Sequence, residues 1–177
     1  MQNPDNNEKI NVYQSNTVRV MHFAVQDLQC CLHIEDVERV IPLLEVRPIP
    51  SGPDYLLGLM NYHGSGIAVI DAGFRIGQPH AQAYSLDTPI ILCSRDNIRI
   101  GLVVTDILDL QECQPQAFQM RPEFKQGAQP YEAVVSTSRG LSLLLDLERI
   151  ADVQLGGIDI MSRLADTESY DLTAKGM

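Results

Sequence analysis

The sequence predicts a mainly β protein, a sandwich or barrel built from roughly ten short strands and few helices. Three observations carry this. Short apolar segments with period-two alternation recur from Thr17 to Asp152. Turn residues separate them at close intervals, with hairpin-like junctions at Asp96-Asn97 and Ser138–Gly140. No long helical pattern alternates with the strands, which argues against a parallel βαβ sheet.

Val18–Val25 alternates and places Met21, Phe23 and Val25 on one face. A polar turn at Gln26-Asp27 follows, and Cys30, Leu32 and Ile34 repeat the pattern. Val37, Val40 and Ile41 fall at helical or turn spacing and end at Pro42. Leu44–Arg47 reads as a short strand before the Pro48–Pro53 loop. Leu56–Met60 and Ile67–Ile70 flank a turn at Tyr62–Gly66. Pro89–Ser94 and Ile98–Thr105 form a hairpin, and Leu108–Cys113 is a further strand. Residues 114–131 read as the longest irregular stretch, because Pro115, Pro122 and Pro130 keep it out of a sheet. Ala133–Thr137 and Leu141–Asp146 make a second hairpin, and Leu147–Ala151 closes the domain as a short helix.

This divides the chain in three. Residues 1–16 are rich in Asn and Gln and read as a flexible N-terminal arm. Residues 17–152 form the folded domain. Residues 153–177 are a polar tail in which Ile158, Met161 and Leu164 line one face of a short helix.

Composition narrows the function. The 177 residues carry 13 Lys and Arg against 23 Asp and Glu, a net charge of −10. Such a surface repels phosphate backbones and anionic headgroups, so nucleic acid is not an expected partner. The N-terminal stretch has no apolar signal core, and no apolar run approaches the ~18 residues of a membrane helix. Direct membrane insertion is therefore not expected. Cys30, Cys31, Cys93 and Cys113 show no metal-ligand spacing and read as half-buried strand thiols, which suits a cytoplasmic location.

Residues that could do chemistry are scattered. There is no nucleophile elbow, phosphate-binding loop or zinc-protease motif. His22 lies opposite the face of Phe23 and reads as exposed or as an interface residue; His33, His63 and His80 are dispersed. Glu35, Asp36 and Glu38 read as a solvated turn, and Asp106 and Asp109 likewise. A thiol enzyme on Cys30 or Cys31 would need a low-pKa thiol beside a base. The expectation is a protein without catalysis, cofactor or metal.

The segment LLGLMNYHGSGIAVIDAGFRIG, Leu56 to Gly77, resembles the signature of CheW-type coupling proteins, of the form G-x-x-N-x-R-G-x-x-x-P-x-x-D-L. Gly58, Asn61, Gly64 and Asp71 match it. FAVQDLQCCLHIEDVERVI before it, and IGLVVTDILDL and LSLLLDLERI after it, resemble the family's flanking strands in order and spacing. The chain departs at three positions. His63 stands where Arg is usual, Ala68 where Pro is usual and Ala72 where Leu is common. Arg is permanently charged and forks onto carboxylates, whereas histidine in general is shorter and mostly neutral above pH ~6.5.

The signature also has a plain structural reading. Gly58 lets the chain enter a strand at low steric cost. Asn61 can hold a turn through its side-chain amide. Gly64 and Gly66 allow positive φ at a hairpin tip. Asp71 can cap a helical turn at Gly73 and Phe74.

The resemblance implies a fold of two small five-stranded SH3-like β-barrels sharing a core, with a few short helices. It implies a non-catalytic scaffold coupling chemoreceptor cytoplasmic tips to the regulatory domain of a CheA-type histidine kinase, recruited to membrane receptor arrays through those partners. The alternative is a CheW-like adaptor in a non-flagellar pathway, surface sensing or pilus control, with altered receptor contacts. Carried onto this chain, the partner-binding candidates are Asn61, Tyr62, His63 and Gly64 at the hairpin, with Val37 and Ile41 as further positions.

Overall fold

Alternating apolar residues form strands because a pleated chain sends successive side chains to opposite faces. A computed structural model of the chain describes residues 16–79, 83–126, 129–155 and 158–159. Its strands are β1 (Val18–Val25), β2 (Leu28–His33), β3 (Val37–Pro42), β4 (Val46–Arg47), β5 (Leu56–Tyr62), β6 (Ser65–Asp71), β7 (Pro89–Arg95), β8 (Ile98–Val103), β9 (Asp106–Cys113), β10 (Phe118–Gln119), β11 (Tyr131–Thr137), β12 (Gly140–Leu145), β13 (Gln154–Leu155) and β14 (Ile158–Asp159). The helices are α1 (Ala72–Arg75), α2 (Pro122–Gln126) and α3 (Leu147–Ala151).

Two sheets result. One runs β10-β11-β12-β2-β1-β9 and the other β3-β7-β8-β6-β5-β4. Each is the five-stranded unit the resemblance implied, extended at one edge by a two-residue strand, β10 or β4. The second unit, β3 to β8, is inserted between β2 and β9 of the first. We call them the inner and outer units. Each contains one parallel pair, β12 with β2 in the outer unit and β6 with β8 in the inner.

The central strands are buried on both faces. Ile91, Cys93, Ala68, Ile70, Ile100 and Leu102 of the inner unit join Met21, Phe23, Val25, Cys30 and Leu32 of the outer in a single shared core. The alternate residues Ile67, Val69, Ile90 and Leu92 enter a core of the inner unit, with Met60 and Tyr62. Val20, Cys31, Cys113, Ala133, Val135 and Leu144 form the outer unit's own core. Two-sided burial is why PIILC and IAVID read as continuous apolar runs. Leu147, Ile150 and Ala151 of α3 pack into the shared core.

Arg75 of α1 ties α1 to α3. Its guanidinium donates to the carbonyls of Arg149 and Ile150, near the C-terminal end of α3, where a cation is favoured. Arg149 in turn donates to the carbonyls of Phe124, Gln129 and Tyr131, at 2.7, 3.2 and 3.2 Å, and so ties α3 to α2 and to the start of β11.

Several expectations are corrected. Val37, Val40 and Ile41 lie on an edge strand, not a helix or turn. β3 pairs with β7 through a register shift between Val37 and Arg39, and the extra residue breaks the alternation. The Leu44–Arg47 strand shrinks to Val46–Arg47. The stretch 114–131 contains a 3-10 turn (Pro115–Ala117), β10 and α2. Pro122 opens α2, the position where a missing N–H costs nothing. Ile158, assigned to a tail helix, is in β14, paired with Leu155; Met161 and Leu164 lie outside the described residues, as do His80 and the N-terminal arm up to residue 15.

The thiols are buried rather than half-buried, Cys30, Cys31 and Cys93 completely and Cys113 nearly so, with Cys30 in the shared core and Cys31 in the outer unit's core. Burial pushes Cys30 and Cys31 up to about 12, so the thiolate is scarce at neutral pH. The native protein is therefore expected to react with a thiol reagent such as 5,5′-dithiobis(2-nitrobenzoate) only at its unfolding rate. Mixing native protein with reagent and following absorbance checks this; a rapid stoichiometric burst at neutral pH would contradict it.

Candidate partner-binding site

β5 and β6 are antiparallel, with Tyr62 opposite Ser65, so His63 and Gly64 alone make the turn. Both have positive φ, 51° and 89°. This is the requirement of the primed two-residue hairpin turns whose twist matches that of the strands. Asn61 fixes the tip: its Oδ1 accepts from the Gly64 N–H at 2.9 Å. Gly66 does not share the positive φ expected of it, being an ordinary strand residue of β6.

The four hairpin candidates divide by exposure. Asn61, His63 and Gly64 are exposed, whereas Tyr62 is buried and belongs to the inner core. The Tyr62 ring meets His63 edge-on, with centroids 4.4 Å apart. The Arg99 guanidinium lies 5.7 Å from the Tyr62 ring centroid. Arg99 also forks onto Glu38, donating from Nε and Nη2 at 2.9 and 2.8 Å, and holds that carboxyl below its ordinary range. The extra residue of the β3 register shift is thus bound to the arginine of β8 that covers the tyrosine beneath the hairpin. Sequence patterns did not mark Glu38 or Arg99 for this, since their pairing spans separate strands.

Val37 and Ile41, the further positions, lie on β3. Both are partly buried, Val37 against the shared core and Ile41 against the inner core. The exposed residues of β3 are Glu38, Arg39, Val40 and Pro42, and Val40, 39% exposed, is the large hydrophobic among them.

Beside the hairpin is an open groove of about 530 Å³ lined by Leu44, Glu45, Arg47, Leu59, Met60, Asn61, Gly64 and Gly66. It forms because β4 pairs with β5 only at Val46–Met60 and Arg47–Leu59, leaving the end of β5 toward the tip uncovered. The groove mixes apolar walls with an exposed Glu45–Arg47 pair.

Asp71 ends β6. Its Oδ1 accepts from the Phe74 N–H at 3.1 Å, the cap expected for α1, and its other oxygen accepts from the Tyr84 hydroxyl. The acidic cluster is corrected at Asp36, which is buried and accepts both nitrogens of the Arg95 fork. Asp109 is likewise not a free surface carboxylate: it accepts from Arg139 at 2.9 Å and Gln111 at 3.1 Å. Among the described residues no group of three or more His, Cys, Asp or Glu is placed to hold a metal ion, and no helix is long and apolar enough to cross a membrane.

Comparison with known proteins gives the same picture. The chain is 23% identical over 130 residues to a probable chemotaxis protein CheW of Rhizobium etli, covering 72% of this chain and 83% of that one. It is 25% identical over 101 residues to the chemotaxis protein CheW of Rhizobium meliloti, covering 57% of this chain and 64% of that one. The crystal structure of the scaffolding protein TtCheW from Thermoanaerobacter tengcongensis superposes with a TM-score of 0.71, covering 81% of this chain and 97% of that one at 21% identity. The fold is therefore that of a CheW protein. The model of the CheW-like domain matches residues 19–154, most of the chain, so this protein belongs to the CheW-like family of chemotaxis adaptors.

Proposed function

We propose that this chain couples chemoreceptor cytoplasmic tips to the regulatory domain of a CheA-type histidine kinase, with the β5–β6 hairpin as a receptor contact. The observation behind this reading is the combination at the hairpin. Three exposed residues sit on a backbone held by the Asn61–Gly64 bond, beside a groove with apolar walls and a charged rim. A protein contact needs such a preformed surface, because ordering a loose one costs affinity.

Coupling then works by geometry. Two units sharing one core hold their partners at a fixed distance. A receptor rearrangement shifts the kinase equilibrium only where contacts differ between signalling states. The reading implies a cytoplasmic protein recruited to membrane arrays through its partners. The relatives named above are chemotaxis proteins, which favours this pathway over surface sensing.

Pull-down of the full chain with receptor tips and, separately, with the kinase regulatory domain tests the proposal. Binding to both is expected; binding to neither refutes it. Asn61→Ala should weaken receptor binding several-fold and leave kinase binding intact. His63→Arg should tighten receptor binding at neutral pH, where a forked cation reaches a carboxylate opposite the hairpin. Unchanged affinity would remove position 63 from the contact, and weaker affinity would remove the carboxylate opposite it.

A further inference from the structure

Among the described residues, three buried side-chain atoms have no hydrogen-bond partner: His22 Nε2, Gln29 Oε1 and Asp109 Oδ1. All three belong to one end of the outer unit. His22 and Asp109 are opposite each other in the β1–β9 ladder, and so share a face. Gln29, on the strand to the other side of β1, is a diagonal neighbour of His22. Arg139, in the turn between β11 and β12, closes the group. Its Nε donates to Asp109 Oδ2 at 2.9 Å, and its carbonyl accepts from Gln29 Nε2 at 3.3 Å.

His22 was expected to be exposed or at an interface. It is 1% exposed, with Nδ1 3.1 Å from the Ser142 hydroxyl. The groups facing it can be named element by element. β9 presents Asp109, with Gln111 bonded to it. β2 presents Cys31, opposite His22 in the ladder. β12 presents Ser142, and the turn before it Arg139. β11 contributes apolar Ala133 and Val135 to the adjoining core. Asp109 is the anion among these and Arg139 the cation.

We propose that His22 and Asp109 form a proton-operated latch between β1 and β9. With His22 neutral, Asp109 is bound only through Oδ2, to Arg139 and Gln111. In the tautomer whose Nδ1–H donates to Ser142, uptake of one proton at Nε2 turns an unpaired acceptor into a charged donor. The donor finds the unpaired Oδ1 of the carboxylate across the ladder, and no existing bond has to break. Asp109 is in this sense a counter-ion held in reserve.

The balance of charges supports the neutral resting state. Burial depresses the His22 pKa below that of an ordinary imidazole, Asp109 works against the depression and Arg139 adds to it. A depressed folded value means that stability is complete above the unfolded value and falls as pH drops toward the folded one. Asp109 limits that loss. The latch therefore sets how far the outer unit tolerates acid.

Histidine ring resonances of the full chain, followed by NMR across pH, test this. His33 is an internal reference, since its bond to Glu132 moves it in the opposite direction, above the ordinary imidazole. The expected result is a His22 midpoint below the ordinary imidazole range. It should fall further in Asp109→Asn and rise in Arg139→Gln, with His33 unmoved. The urea midpoint should drop more steeply with acid in Asp109→Asn than in the parent chain. A His22 midpoint unchanged in both variants overturns the proposal, as does a resting ring protonated at neutral pH. Should Asp109→Asn fail to fold, the Arg139→Gln shift decides alone.

Discussion

Gly58→Ala is expected to destabilise the chain by roughly 2–6 kcal/mol, combining ~1–3 of backbone strain with ~1–3 of overpacking. Gly58 has φ of +140°, a region closed to residues with a Cβ. A Cβ there would lie 2.1 Å from the Arg47 carbonyl oxygen and 2.6 Å from its carbonyl carbon. Both are backbone atoms, so relief requires moving β4 away from β5. The groove beside the hairpin would move with it, because Arg47 lines that groove. Urea unfolding measures the loss, and, on the proposed receptor contact, receptor binding should fall in parallel. Gly64→Ala is the comparison. Its φ is also positive but its Cβ would meet nothing within 4 Å, so a cost of about 1 kcal/mol is expected. Equal midpoints for the two variants would show that positive φ, and not the close approach of Arg47, is what requires glycine at position 58.

Arg95→Ala is the second large effect, a loss of about 3 kcal/mol, at the low end for breaking a buried ion pair because Arg95 itself is partly exposed. The damage is to Asp36. Its carboxylate is buried in the 3-10 turn Ile34–Asp36 and receives both nitrogens of the Arg95 fork, Nε to Oδ1 at 2.6 Å. Removing the arginine leaves a charge away from water without a counter-ion. Arg95→Lys should restore only part of the loss, since an ammonium cannot reproduce the two-point geometry. Replacing both partners with apolar residues of similar size should cost less than Arg95→Ala alone. Thermal unfolding of the three variants checks the order; if the double variant is the worst, the desolvation argument is wrong.

The fold was legible where neighbours in sequence are neighbours in the sheet. β1 has the bounds that its alternation suggested, and α3 begins and ends where expected. Cys30 and Leu32 share the face that their alternation gave them. The Asp71 cap and the Asn61 turn were readable because each acts within three residues. β3 was misread because the register shift near Glu38 disrupts alternation, so that Val37, Val40 and Ile41 imitate a helical face. α2 carries a local signal, proline followed by an acidic first turn, but a proline also breaks a sheet, and Pro115 and Pro130 on either side make that reading equally natural.

The candidate site was half legible. The hairpin residues stood out through the signature, whereas the groove wall from Leu44 to Arg47 and the Glu38–Arg99 support required tertiary pairing. Burial of Asp36 and His22 was hidden for the same reason. Their partners Arg95 and Ser142 are distant in the chain, and a carboxylate or imidazole without its partner in view reads as surface.

The insertion of β3–β8 between β2 and β9 also dictates an order of assembly. All strands of the inner unit leave the ribosome before β9 begins, so that unit can complete its ladder during synthesis. β1 and β2 emerge first yet must wait for β9 and β12, and the β2–β12 pair closes a loop that spans the whole inner unit. Closing such a loop through unstructured chain is slow, whereas an inner unit already folded shortens the effective distance between its ends. A nascent chain halted before β9 would therefore expose the apolar faces of β1 and β2, and chaperone demand should peak there.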